Sequence, residues 1–106
     1  MVEWYKDLYL DGITGKFEAV VRDKIERERL QYPCFCIMLA SNPNNLLDII
    51  NVNELLLPYY KKKKILILGL AASRNQGKTL AAHIIEEIYK ETGGVDVRSY
   101  FTNKNR

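Results

Sequence analysis

With 106 residues, the chain has length for one hydrophobic core and one site, and residues 1–106 are expected to form a single domain. Apolar residues at 47%, aromatic at 10% and charged at 27% exclude the disordered and fibrous classes. A net charge of +3 is too small to require a nucleic-acid or other polyanionic partner.

Residues 1–12 form an uncertain lead-in with aromatic character from Trp4, Tyr5 and Tyr9, closed by the turn-like pair Asp11-Gly12. Phe17, Val20, Val21 and Ile25 then recur at helical spacing in a charged segment, which predicts a first helix. Tyr32-Pro33 breaks it. The continuous apolar run Cys34 to Ala40 has strand length and no polar face, which places it centrally in a sheet. Cys34 and Cys36 lie two apart on that strand, a spacing that disfavours a mutual disulfide, and they read as free buried thiols.

Ser41-Asn42-Pro43-Asn44-Asn45 has the residue types of a helix start, Ser or Asn as cap and Pro in the first turn. Leu46, Ile49, Ile50, Asn53, Leu56 and Leu57 would be the stripe of this second helix, with Pro58 closing it. Asn53 is the polar exception, expected to find a local partner. After Tyr59-Tyr60 and the run Lys61 to Lys64, Ile65 to Ala71 reads as a second strand. Ser73 opens a third helix that runs to Thr92 and stops at Gly93-Gly94. Val95 to Phe101 alternates and is read as a third, half-exposed strand, with 102–106 as a flexible tail.

The order α-β-α-β-α-β, with long connections, predicts an α/β layered sandwich on a three-stranded, mostly parallel sheet. Such a sheet leaves two edges, so self-association through an edge or an apolar helix face, or an extra strand from the N-terminal segment, is compatible with it.

The segment Ala72 to Thr79 has the form A-x-x-x-x-G-K-T and follows an apolar strand, so it matches in relaxed form a loop that wraps phosphate with backbone amides. In that reading Gly77, Lys78 and Thr79 would hold a nucleotide or phosphorylated metabolite. Against it stand the bulky interior Arg74-Asn75-Gln76, the capping-box pattern Ser73-x-x-Gln76, and the place of Gly77 on the sheet-facing stripe. No acidic residue ends a neighbouring strand to serve magnesium. Helix-start chemistry is the preferred account.

In a parallel sheet, the loops around Ser41, Asn42, Asn44 and around Ser73, Arg74, Asn75 would share the carboxyl edge and form the candidate ligand site. Lys61 to Lys64 with Tyr59 and Tyr60 would lie at the opposite edge, as a solvated turn or, less favoured, a nucleic-acid contact. His83 falls on the outer side of its helix, and nothing assembles a nucleophile, base and oxyanion site. No catalytic residue, metal or cofactor is assigned. A cytoplasmic, non-enzymatic binding or interaction module is the expectation.

Overall fold

The computed structural model describes residues 2–40 and 45–104. Its centre is a four-stranded mixed sheet built from β1 (Val2–Asp11), β2 (Phe35–Leu39), β3 (Leu47–Asn51) and β4 (Ile65–Ala71), in the spatial order β1-β4-β2-β3. β1 runs parallel to β4, whereas β2 is antiparallel to both β4 and β3. The helices are α1 (Gly15–Glu26), α2 (Pro58–Lys61), α3 (Arg74–Thr92) and α4 (Val97–Lys104), and a 3-10 turn spans Val52–Leu56. This replaces the expected three-stranded, mostly parallel sheet in α-β-α-β-α-β order.

One open reading is resolved and two others change with it. The lead-in is a ten-residue edge strand, β1, whose pairing slips between Trp4 opposite Ile67 and Tyr9 opposite Gly69. The segment read as a second helix is instead β3 followed by the 3-10 turn. Ile49 and Ile50 are β-branched, and pairing with Ile37 and Cys36 of β2 overrides a short apolar pattern that fits either period. Pro58 opens α2 at its first turn rather than closing a helix. The segment read as a third strand is α4. Val97, Tyr100 and Phe101 satisfy i, i+3, i+4 as well as a loose alternation, and the Asp96 carboxylate accepts from the Ser99 amide at 3.2 Å as a helix cap does.

Both interior strands are apolar on both sides, as β2 was expected to be. One face of the sheet carries α3 and α4, with Ile37, Leu68, Leu80, Ile84, Ile88 and Phe101 at its centre. The other carries α1 and the 3-10 turn over Cys36, Met38, Ile50, Ile67 and Leu70. β4 serves the two faces out of step. Ile37 pairs with Gly69 but Met38 with Ile67, so Leu68 is one residue extra, and side-chain parity reverses after it. Gly69 sits at this irregularity, where an added Cβ would lie 2.9 Å from the Tyr9 carbonyl oxygen.

α3 begins and ends where the sequence places it, with Ser73 as cap and Gly93, at φ 75°, as its terminator. Among the described residues no helix is long and apolar enough to cross a membrane. The chain is a small α/β domain with two helical layers on one sheet.

Candidate functional site

At the end where β1 and β4 finish, the Ala72 amide donates to the Asp11 carbonyl at 3.0 Å, and α3 starts immediately afterwards. Ser73 Oγ accepts from the Gln76 amide at 3.2 Å. The reciprocal half of the expected capping box differs, because Gln76 Oε1 accepts from the Ser73 hydroxyl at 3.1 Å. The A-x-x-x-x-G-K-T segment is therefore helical from Arg74. Gly77 donates its amide to the Ser73 carbonyl at 2.9 Å, within the helix ladder. It is buried against the sheet, with the nearest atom to an added Cβ being Ile49 Cγ2 at 2.9 Å. Lys78 and Thr79 are exposed, and the Thr79 hydroxyl donates to the Asn75 carbonyl at 3.1 Å. Arg74 does not simply extend into solvent. Its guanidinium lies 4.9 Å from the Phe35 ring centroid and donates to the Ile49 carbonyl at 3.5 Å.

The other half of the sequence-derived site, Ser41, Asn42 and Asn44, lies outside the described residues. The strand that leads to it is described, and it runs the other way. Because β2 is antiparallel to β4, Ala40 lies where β4 begins, in a cleft of about 500 Å³ shared with Lys63, Lys64 and Arg98. The edge that was to unite Ser41 with Ser73 rested on parallel strands.

The cations at that cleft are engaged within the fold. Arg98 donates to the Ala40 carbonyl, and Lys64 pairs with Glu3 at 3.3 Å. Lys61 pairs with Glu28 at 3.6 Å, and Lys63 donates to the Tyr59 hydroxyl at 2.9 Å while lying 4.1 Å from its ring centroid. These contacts tie the lysine run to the turn after α1, to β1 and to α2.

Reactive side chains are sparse. Cys34 and Cys36 are free and buried on the α1 side of the sheet. Burial pushes the Cys34 thiol up to about 11 and raises Cys36 further, so both stay protonated and weakly nucleophilic near neutrality. His83 is exposed on α3. Among the described residues no three His, Cys, Asp or Glu side chains come together to hold a metal.

A strongly apolar concavity lies elsewhere, between α1 and the segment entering β2. It is a groove of about 350 Å³ lined by Ile13, Phe17, Val20, Tyr32, Pro33 and Cys34 among others. Both walls are fixed. The Trp4 indole donates to Glu26 Oε1 at 3.0 Å and the Arg22 guanidinium stacks 4.7 Å from its ring, which anchor α1 over β1. Opposite, the Gln31 amide donates to Asn53 Oδ1 and Asn53 Nδ2 donates to the Gln31 carbonyl, each at 3.0 Å. Asn53 thus imitates a paired strand residue and pins the Gln31-Tyr32-Pro33 wall.

Anchored this way, α1 buries Val21 and Ile25 only. Phe17 and Val20, at helical spacing with them, are 61% and 50% exposed, and Tyr32 is 91% exposed. Phe17, Val20 and Tyr32 line the groove together, and a contiguous apolar patch of this kind marks an interaction surface more often than scattered apolar residues do. Compared with known protein families, curated proteins and solved structures, the chain matches none.

Proposed function

We propose that the chain is a non-enzymatic interaction module that docks a protein segment in the groove between α1 and residues 31–34. The observation that carries this reading is the exposure of Phe17, Val20 and Tyr32 around one apolar groove whose walls are each held by hydrogen bonds. A rigid wall favours binding because little side-chain and loop ordering remains to oppose it. Buried, protonated thiols and a helical start at Arg74 leave little for an enzymatic account to use.

The test is a selection of random displayed peptides on the folded chain, followed by amide-shift mapping. Binders that shift Phe17, Val20 and Tyr32 and lose affinity on Val20→Asp support docking. Binders that map elsewhere, or that tolerate the substitution, overturn it. The competing phosphate-ligand reading has its own check in thermal shift with ATP, GTP and magnesium. A ligand at about 100 times its dissociation constant would stabilise the fold by about 2.7 kcal/mol. No shift is expected, and a shift abolished by Lys78→Ala would establish the nucleotide reading instead.

A further inference from the structure

We infer that the groove's partner is an acidic amphipathic segment, one that seats a large apolar side chain between Phe17 and Tyr32 and sets a carboxylate against the Lys24 ammonium. This rests on the docking reading above and adds the chemistry of the partner.

Phe17, Val20, Val21 and Lys24 all line the groove, at i, i+3, i+4 and i+7 of α1, so Lys24 continues the apolar stripe about one turn beyond Val20. It is the one charged residue of the groove's lining among the described residues. Apart from Lys16 at its start, which does not line the groove, the other charges along α1 are directed to partners in the fold. Glu18 holds Arg22 and Asp23 holds Arg27, each at 3.0 Å, and Glu26 accepts from Trp4. Lys24 has no carboxylate partner among the described residues, and it is half-buried. Its methylene stem therefore extends the apolar wall while its ammonium stands at the rim.

A cation in that setting discriminates. An approaching carboxylate meets it beside apolar walls, where the effective dielectric is lower than in open water and the attraction correspondingly larger. A cationic segment with the same apolar residues would meet repulsion, the arrangement by which interfaces reject wrong partners. The volume, about 350 Å³, is of the order of small-ligand sites, roughly 300–1,000 Å³, and suits side chains inserted from a peptide better than the flat face of a folded domain. The floor at Cys34 is a protonated thiol, a weak donor without charge, so Lys24 is the one cation of the lining that a carboxylate can meet.

The experiment uses fluorescein-labelled synthetic peptides with paired Leu, Phe or Trp anchors and Glu, Gln or Lys at the flanking position, read by anisotropy. Glu peptides are expected to bind the natural chain about three- to tenfold more tightly than their Gln counterparts, a range typical of one partly screened charge pair. Lys24→Gln should erase that preference, and Lys24→Glu should reverse it toward the Lys peptides, which a loss of folding would not do. Val20→Asp should weaken every peptide. If Glu and Gln peptides bind equally while Val20→Asp still weakens both, the acidic partner is wrong and the docking reading stands. If none binds, or binding ignores Val20→Asp, the docking reading fails as well. A dimer in sedimentation equilibrium that Val20→Asp dissociates would make a second copy the occupant and overturn the inference.

Discussion

An added Cβ at Gly77 would lie 2.9 Å from Ile49 Cγ2, a branch methyl held by its own packing in the core on the α3 side. Alanine in a helix interior is favoured over glycine by about 1 kcal/mol, but forcing a methyl into a packed contact costs about 1–3 kcal/mol. The second effect is the larger, so Gly77→Ala is expected to lower unfolding stability by about 1 kcal/mol in urea titration. An unchanged or higher midpoint would show that Ile49 yields freely. Asn53 makes a different argument at the same scale. Its side chain both accepts from and donates to the Gln31 backbone, and Asn53→Ala leaves two backbone groups to find water. A loss of about 1–3 kcal/mol is expected, at about 1 kcal/mol per hydrogen bond with an added cost for groups left unsatisfied. Groove affinity should fall with it, since the Tyr32 wall loses its anchor.

At the scale of elements, the starts and stops written in side-chain chemistry were legible. Ser73 and Gly93 bound α3 as the sequence indicates, and Ser73→Ala should cost about 1 kcal/mol through the lost bond to the Gln76 amide. Thermal unfolding of that variant checks the value. The first helix and the two interior strands followed from apolar pattern, but two shorter apolar segments were misread. Ile49-Ile50 and Val97-Tyr100-Phe101 fit both helical and strand periods over so short a span, and only their partners, β2 for the first and the α3 side of the sheet for the second, decide between them. Direction was invisible too. Nothing in Cys34 to Ala40 states that β2 runs against β4, yet that one sign moves Ala40 to the Lys64 end and removes the parallel arrangement that the sequence reading assumed. The groove was hidden for a related reason, because Phe17 and Val20 share a helix with truly buried residues and their exposure follows from how Trp4 seats α1.

For the whole molecule, the buried hydroxyls and thiols set an alkaline limit. Burial, followed by the hydrogen bond to Glu91, raises Tyr100 to about 12 from 10.0, and burial raises Tyr9 further. Burial takes Cys34 from 9.0 to about 11. Each of these groups is neutral when protonated, and its folded value lies above its unfolded one. Its contribution is therefore complete below the unfolded value and is lost as pH rises through the folded one. Melting temperature is expected to hold up to about pH 9 and then fall progressively toward pH 12, beginning in the range where free Cys and Tyr ionise. A flat profile to pH 12 would contradict the burial of these groups, and Tyr100→Phe should blunt the upper part of the fall.

The pairing of β1 with β4 also orders events in time. Val2 lies beside Ile65, 63 positions later, and the two strands between them in sequence, β2 and β3, lie on the other flank of β4. During synthesis at roughly 5–20 residues per second, β1 must wait several seconds for β4 to appear. Until then its Trp4, Leu8 and Leu10 have the α1 side to meet but lack Ile65, Ile67 and Leu70 of β4, which leaves nascent β1 in need of a chaperone's shelter.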